Sequence, residues 1–358
     1  MMYVIFACLI IVSSYICNRN IMLGTYRFQG RNVYVLLWGI FLILLCGLRS
    51  IDIGRDTSMY AYIFQSIKNK HTLQELFENY EYFEYGYYLL NYVVSRFVDY
   101  QGFLLVSAIL SIGPVIYIVL KYSKQPWMSL LLYSCFQFFT FTMSGMRQAI
   151  AMGILMLAYD CMINKKLKQY LILCFIAIMF HSSAILFIPI YWIRNIPFKK
   201  NIGIFCGTFM ALTYVFRKNL WSIATVFGRQ QYESNDAGGT MMYLFMILSI
   251  ALGLLFREGL IVGDQENEES VQNRVLLYLQ VLAAMVWPIA SGNSATFRMF
   301  FYYQIFMILY VPVVIKAIPD RLVKFIVTSG YIFVSFYFLT TQVLPFGMQV
   351  NPYYFFWQ

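Results

Sequence analysis

Apolar runs of membrane-spanning length recur along most of this chain. Of its 358 residues, 61% are hydrophobic and only 12% are charged, and the mean hydropathy is +0.66. A helix of about 20 apolar residues crosses a bilayer, and lipid favours helices because it offers no partner to backbone N–H and C=O groups. The sequence therefore predicts an all-α, polytopic helical membrane protein, and this composition excludes a soluble domain.

The apolar runs predict about 11–12 transmembrane helices, which we assign to one integral membrane domain over residues 1–358. Residues 2–17 form the first helix, because no basic segment precedes them and no small-residue cleavage site follows. Residues 169–193 form either one long tilted helix or two short helices broken near His181, and residues 85–101 form either a short span or an interfacial amphipathic helix. The predicted spans are 2–17, 33–48, 102–120, 127–143, 148–163, 169–181, 182–193, 201–216, 241–256, 274–290, 299–316 and 322–340.

The basic residues orient these helices. If residues 85–101 lie at the interface and residues 169–193 are broken in two, the short basic loops fall on one face, which the positive-inside rule makes cytoplasmic. Both termini and the long loop 49–101 then lie outside, where most of the remaining cations are arginines. The net charge of +10 is spread over many short loops, so it does not indicate a nucleic-acid partner.

Arginines lie at the outer ends of several predicted spans, where an isolated guanidinium is costly unless an anion or water accompanies it. Arg147 and Gln148 begin one span, Arg298 begins another after a tight polar turn, and Arg49 and Arg55 follow the second span. A guanidinium fork fits phosphate oxygens, and the N–H groups of a helix N-terminus add to the attraction at Arg147. We expect these residues to line a phosphate-binding cavity; the alternative is that their side chains only reach to the membrane interface.

Asp52 and Asp56 alternate with Arg49 and Arg55 just after the second predicted span. Spacings of three and four residues put all four on one side of a helical turn. In one interpretation, the aspartates hold the guanidiniums around a phosphate. In the other, the four residues are a self-neutralising ion-pair cluster that caps the helix. The spacing alone does not decide between the two.

His181 lies within an apolar run and is followed by Ser182 and Ser183. A histidine at the outer end of a span, with an ordinary imidazole pKa of about 6.5, is able to take a proton from a sugar hydroxyl. The alternative is a core histidine bonded to a backbone carbonyl. The other histidine, His71, lies in a polar stretch and is expected to be solvated.

The outer loop 49–101 combines carboxylates with aromatic rings. Glu75, Glu78, Glu81 and Glu84 recur every three residues among tyrosines. Such a surface suits a carbohydrate. The alternative is an aromatic belt at the membrane interface with a solvated acidic face.

Motifs of several other enzyme classes are absent from the sequence. There is no HExxH, Walker A loop, GxGxxG or DxD-type metal pair. This absence disfavours ATPases, zinc proteases and metal-dependent nucleotide-sugar glycosyltransferases. The seven cysteines lie in or beside apolar runs without a CxxC pair, so we expect free thiols, and we predict no metal site and no cofactor.

Four motifs, in this order along the chain, resemble those of a known family. They are Arg49-x-x-Asp52-x-x-Arg55-Asp56-x-x-x-Tyr60, Arg147-Gln148-x-Ile150-Ala151, Phe180-His181-Ser182-Ser183-Ala184 and Arg298-x-x-x-Tyr302. Together they cover most of the chain, and they resemble the EpsG-like branch of the Wzy-type O-antigen and capsule polymerases.

The resemblance implies an integral inner-membrane glycosyltransferase that works at the periplasmic or outer face without a metal. Such an enzyme joins O-antigen, capsule or exopolysaccharide repeat units carried on undecaprenyl pyrophosphate. Its partners would be a lipid-linked donor and acceptor in the bilayer, with a chain-length regulator and a flippase. The expected pyrophosphate ligands are Arg147, Gln148, Arg298, Arg49 and Arg55. The candidate bases are His181, Asp52 and Asp56.

Two other functions fit parts of the pattern. A lipid-linked oligosaccharide flippase also needs cations for pyrophosphate, but deep in the helical bundle and accessible from both faces. A membrane O-acyltransferase would use His181 but needs a cytoplasmic entrance for acyl-CoA, whereas His181 is predicted on the outer side. A cavity that opens to one face only would separate the polymerase from the flippase.

Overall fold

The computed structural model of this chain describes residues 2–23, 26–78, 84–198, 200–216, 240–260, 267–290, 294–345 and 348–358. These residues are almost entirely helical. Within them, the strands are one antiparallel pair, β1 (Asn20–Leu23) and β2 (Tyr26–Gln29), in which Asn20 faces Gln29. The predicted all-α class is therefore confirmed.

The helices form two compact units, which are described separately. The first comprises Met1–Ile185 and Thr328–Gln358, and the second comprises Leu186–Val327. The single domain expected from the sequence stays a prediction. The helices of the first unit are α1 (Met2–Val12), α2 (Gly30–Gly47), α3 (Thr57–Lys68), α4 (Leu73–Glu78), α5 (Tyr85–Val94), α6 (Tyr100–Tyr122), α7 (Pro126–Cys135), α8 (Phe138–Ser144), α9 (Met146–Ile163) and α10 (Leu167–Phe180). Those of the second unit are α11 (Lys200–Val215), α12 (Thr240–Leu255), α13 (Arg257–Leu260), α14 (Glu268–Ala290), α15 (Ser294–Gln304) and α16 (Met307–Ala317), and α17 (Arg321–Phe338) has residues of both.

Several helices are long and apolar enough to cross a membrane. In the described part of the chain these are α2, α6, α9 and the stretch Arg321–Thr341, which begins with α17. Shorter apolar helices, including α10, α12 and α16, add to them. Each corresponds to a predicted span, so the chain is a polytopic helical membrane protein.

Two predicted spans are each divided in the structure. The run 127–143 forms α7 and α8, because Gln137 adopts a left-handed conformation (φ 66°) that an α-helix does not continue through. The run 299–316 ends as α15 at Gln304 and resumes as α16 at Met307. Hydropathy reveals neither interruption, because each lies within a predominantly apolar run, at Gln137 in the first and after Gln304 in the second.

The sequence left two runs open, 169–193 and 85–101, and the structure forms short helices in both. Helix α10 ends at Phe180, His181 is extended (φ −156°, ψ 115°), and a 3-10 helix, Ser182–Asn195, follows. The break near His181 is therefore confirmed. Residues 85–101 contain the ten-residue α5, too short for a span, before α6 begins at Tyr100. The interfacial position of α5 stays a prediction.

The core of the first unit contains α6 packed against α2 and α9, with α10 packed against α9. At Gly153 the backbone of α9 approaches α6 so closely that a Cβ would lie 2.7 Å from the Leu110 carbonyl oxygen. Near the C-terminal ends of α6 and α9, Lys121 and Asp160 form an ion pair of 2.6 Å. These contacts fix α9, whose first turn carries Arg147.

The C-terminal end of α2 is capped by donors from separate parts of the first unit. The last carbonyls of a helix have no partner within the helix, and burial makes an unpaired carbonyl costly. Four donors satisfy these carbonyls: Tyr353 Oη for Leu45, Arg49 Nη1 for Cys46, Gln101 Nε2 for Gly47 and Phe356 N for Leu48.

The segment 348–358, called the tail below, runs beside the loop 48–56. Three loop N–H groups donate to tail carbonyls at 2.9, 2.9 and 3.1 Å: those of Ser50, Gly54 and Arg55. Gly54 has a φ of 97°, and a Cβ there would lie 2.3 Å from the Met143 carbonyl oxygen, so the loop needs glycine at this point. The loop, the tail and the turn before α9 therefore form one packed corner.

Arg49 is fully buried in this corner, and its guanidinium bonds to the protein backbone. Besides capping α2, it donates from Nε to the Ile53 carbonyl at 3.2 Å and from Nη2 to the Met143 carbonyl at 3.1 Å. Residues 51–56 form turns and bends, and Arg49 pairs with Phe355 in an isolated β-bridge. The helical turn predicted for residues 49–56 is therefore wrong, because Gly54 has a positive φ that interrupts any helix.

In the second unit, α14 packs against α11, α12, α15 and α16. An apolar cavity lies between α11, α12 and α14, and Met210, Ile250 and Leu277 are among its lining residues. The buried Arg274 of α14 donates through Nη2 to the Arg194 carbonyl at 3.0 Å. A backbone carbonyl again serves as the partner of a buried guanidinium.

Replacing Arg49 should destabilise the fold much more than replacing Arg55. We expect Arg49→Met to lower the free energy of unfolding by about 2–4 kcal/mol, because each buried carbonyl that loses its donor costs roughly 1–3 kcal/mol. The thermal unfolding midpoint of the purified protein in detergent measures this loss. Arg55→Met is the matched control, since it removes the same charge from an exposed side chain. Equal midpoints for the two variants would contradict a structural role for Arg49.

Candidate functional site

Arg147 lies in the first turn of α9, and its guanidinium forms an ion pair with Glu84. The contact joins Nη1 of Arg147 to Oε2 of Glu84, and 15% and 20% of the two side chains remain exposed. The buried Tyr60 also hydrogen-bonds to this guanidinium. The anionic partner that a guanidinium needs at a membrane boundary is thus supplied by the protein itself.

Glu84 joins Arg147 to the break that follows α10. Its second carboxylate oxygen, Oε1, accepts a hydrogen bond from the Ser182 N–H group at 2.9 Å. This reach is possible because α5 packs closely on α10. At Gly86 a Cβ would lie 2.7 Å from the Met179 carbonyl oxygen. One carboxylate therefore holds together two segments that the sequence predicted to carry the site.

His181 lies at this break and is half-buried. Its Nδ1 lies 2.6 Å from Ser183 Oγ, and the tautomer decides which of the two atoms donates. Its backbone N–H donates to the Ala177 carbonyl and completes α10. The described partner of Nδ1 is therefore a hydroxyl, and the core-histidine interpretation stays a prediction.

Glu84 is ionised at neutral pH. Burial raises its pKa, but the Arg147 guanidinium, the Ser182 N–H group and the nearby His181 together lower it more, so the pKa of Glu84 falls below the ordinary value of 4.5. The site therefore holds a cation and an anion in contact, with an imidazole beside them.

Arg55, Asp52 and Asp56 lie in the loop that packs on the turn before α9. The Arg55 N–H donates to Ser144 Oγ at 3.1 Å, three residues before Arg147. The side chains of Arg55 and Asp52 are exposed, and that of Asp56 is half-buried. Neither aspartate forms an ion pair with the arginines of its loop in the described structure, so the predicted ion-pair arrangement is not present. Arg55 keeps an exposed guanidinium on a backbone anchored beside the start of α9.

Gln148 and Arg298 are the other two predicted pyrophosphate ligands. Gln148 follows Arg147 in α9 and is buried. Arg298 lies in α15 of the second unit. Its side chain, and the polar turn 291–293 before it, lie outside the described residues. The proximity of Arg298 to Arg147 stays a prediction.

Sequence reasoning did not identify Glu84 as a site residue. It treated Glu84 as the last member of a periodic acidic series, part of which, residues 79–83, lies outside the described residues. No local pattern links Glu84 to Arg147, which is 63 residues away. The available signal was chemical, since a guanidinium at a membrane boundary requires an anionic partner.

The side chains that meet at this site suit anion binding and proton transfer. Within the described ranges, no group of three or more His, Cys, Asp or Glu residues is placed to hold a metal ion. The cysteines described there are free thiols: Cys8, Cys17, Cys46, Cys135, Cys161 and Cys174. A fixed guanidinium binds phosphate oxygens, and a half-buried imidazole accepts a proton.

The Glu84–Arg147 pair should make stability depend on pH in the acid range. Because the folded-state pKa of Glu84 is lowered, its contribution is complete above about 4.5 and is lost as pH falls through the lowered value. We expect the unfolding midpoint of the unmodified protein to exceed that of Glu84→Gln at pH 7, and the difference to shrink as the pH falls below 4.5 and through the lowered pKa of Glu84. Glu258→Gln, an exposed carboxylate of α13, is the control. A difference that does not change with pH would exclude the ion pair as its origin.

The chain matches one family model over nearly its whole length. Residues 32–355 match the model of the EpsG family, and this range includes every candidate site residue. No curated protein and no solved structure shows a significant match. The family match indicates a polysaccharide-polymerase-like membrane protein. Because the match extends over far more than half of its residues, the chain belongs to the EpsG family.

Proposed function

We propose that this protein is a metal-independent glycosyltransferase that polymerises oligosaccharide repeat units carried on undecaprenyl pyrophosphate. The observation that carries the proposal is the meeting of the Arg147 guanidinium and the His181 segment at Glu84. A cation for a phosphate leaving group and a base for a sugar hydroxyl are the two groups that this transfer requires. The family match supports a polymerase-type role.

Arg147 would stabilise the leaving group. In the transfer, an oxygen lone pair of the acceptor hydroxyl attacks the anomeric carbon of the donor, and the bond from that carbon to the pyrophosphate oxygen breaks. The electron pair stays on the pyrophosphate, where negative charge develops. A preorganised guanidinium and the N–H groups at the start of α9 stabilise such charge without the reorganisation that water needs. Arg55 would assist from its anchored loop, and Arg298 and Gln148 remain further candidate ligands.

His181 would accept the proton that leaves the acceptor hydroxyl. Its bond to Ser183 Oγ fixes the orientation of the ring, and its half-buried position leaves it accessible. Attack on the face opposite the leaving group inverts the anomeric configuration. Asp52 and Asp56 are the substitute bases, and both lie in the loop that packs before α9. Arg49 is assigned instead to holding that loop, because it is buried and bonded to carbonyls.

The reaction would take place at the outer face of the bacterial cytoplasmic membrane, on lipid-linked donors and acceptors within the bilayer. A flippase would deliver these substrates, and a chain-length regulator would act on the product. The product would be an O-antigen, a capsule or an exopolysaccharide. The apolar helices agree with a membrane location.

Purified protein mixed with lipid-linked repeat units should form a polymer ladder, and Arg147→Ala should abolish it. We expect the rate to fall by roughly 10²–10³, the usual loss on removing one transition-state contact. Arg147→Lys should recover only part of the activity, since an ammonium lacks the planar fork. The control is Lys68→Ala, which removes an equal charge from the exposed end of α3. Gel analysis of the products with and without EDTA is the measurement.

Each outcome of this assay bears on the proposal. A ladder that persists in EDTA supports chemistry without a divalent metal, and loss of the ladder that magnesium reverses would contradict it. No polymer from the unmodified protein, together with loss of all surface glycan in a deletion strain, would favour a flippase. Single-repeat products in that strain would favour the polymerase.

His181→Gln should separate a structural role of the histidine from a chemical one. Glutamine keeps a hydrogen bond to Ser183 but has no basic nitrogen, so we expect turnover to fall by about 10²–10⁴. Binding of the lipid-linked donor should persist. Initial rates and donor binding, both measured on the purified protein, test this. His71→Gln, which changes an exposed histidine in the loop 49–101, is the matched control. A fully active His181→Gln protein would remove His181 from the mechanism.

A further inference from the structure

We propose that Glu84 is a placeholder anion, which occupies the Arg147 guanidinium until the donor pyrophosphate displaces it and which thereby sets the affinity of the site for phosphate. This inference rests on the proposed function. It gives Glu84 a positioning role that neither the sequence motifs nor the family match assigns.

The contact between Glu84 and Arg147 is weaker than a bidentate pair, so another anion is able to replace Glu84. An arginine and a carboxylate bind most strongly through two parallel N–H···O bonds. Glu84 offers Arg147 one oxygen, Oε2, while its other oxygen, Oε1, accepts from the Ser182 N–H group. The donor pyrophosphate presents four non-bridging oxygens and two negative charges against the single charge of a carboxylate, so it competes well for the same guanidinium.

The pair is also accessible. The side chains of Arg147 and Glu84 are 15% and 20% exposed, so their contact is mostly buried but still reaches solvent. A mostly buried guanidinium without an anion would be strongly destabilising. The placeholder therefore satisfies Arg147 while the donor is absent, and the opening lets the donor reach it. The pKa of Glu84, which is lowered below 4.5, keeps the carboxylate charged at neutral pH.

Displacement would also prepare the base. When phosphate takes Arg147, Glu84 keeps its bond to Ser182 and loses its closest cation. The carboxylate already interacts electrostatically with His181. An anion near an imidazole favours the protonated form, so the released carboxylate would stabilise the imidazolium that forms as His181 takes the acceptor proton. Donor binding at Arg147 would thus promote proton acceptance at His181.

The test titrates inorganic pyrophosphate into the purified full-length protein in detergent, by calorimetry. We expect Glu84→Gln to bind pyrophosphate about tenfold more tightly than the unmodified protein, because the competing charge is gone. Glu75→Gln, which removes an equal charge from the same outer loop, should bind as the unmodified protein does. With lipid-linked substrate, Glu84→Gln should lower both KM and kcat, whereas a purely structural role would raise KM or leave it unchanged.

Two further variants keep the outcomes distinguishable. Glu84→Asp retains the charge on a shorter side chain, so its affinity for pyrophosphate should lie between those of Glu84→Gln and the unmodified protein, and it serves if Glu84→Gln does not fold. Affinities for both Glu84 variants that are no tighter than that of Glu75→Gln would overturn the placeholder. Arg147→Gln should abolish pyrophosphate binding. If Arg147→Gln abolishes binding while the Glu84 variants leave the pyrophosphate affinity unchanged, only the placeholder role of Glu84 is wrong. If Arg147→Gln binds pyrophosphate normally, the anion site of the proposed function is wrong as well.

Discussion

A guanidinium removed from water has to give its donors to the protein, and Arg49 does so with carbonyls from three segments. Its partners are Cys46 at the end of α2, Ile53 in the following loop and Met143 before α9. Because a buried unpaired donor or acceptor is costly, these segments are held in one arrangement. The position of α9, and with it the first turn that carries the candidate site, depends on this buried cation.

Two arginines at similar boundaries thus have different environments and different roles. Arg49 is fully buried and bonded to neutral carbonyls, which hold it but do not neutralise it. Arg147 is mostly buried, partly open and paired with a carboxylate, so its partner is one that another anion is able to replace. Both are arginines at one end of a predicted span, Arg49 after the end of α2 and Arg147 at the start of α9. The surrounding acceptors distinguish the arginine that supports the fold from the one that we propose to face a substrate.

Features that are local in the sequence were predictable, and those that depend on distant contacts were not. Hydropathy predicted the helical class, and the placement of the basic loops favoured the break near His181 that the structure has. The left-handed Gln137 and the positive φ of Gly54 are backbone states that hydropathy and spacing do not report. The partnership of Glu84 with Arg147 joins residues far apart in the chain, so no periodicity encodes it.

The tail is synthesised last, yet it completes the cap of α2 near the start of the chain. The first unit is discontinuous, and the ribosome makes residues 186–327 before it makes the tail. During insertion, the carbonyls of Leu45 and Leu48 therefore lack the donors that Tyr353 and Phe356 later provide. The corner beside α9 closes only after translation has passed through the second unit. A nascent chain would carry the candidate catalytic residues in the bilayer without their finished support, which delays activity until late in biogenesis.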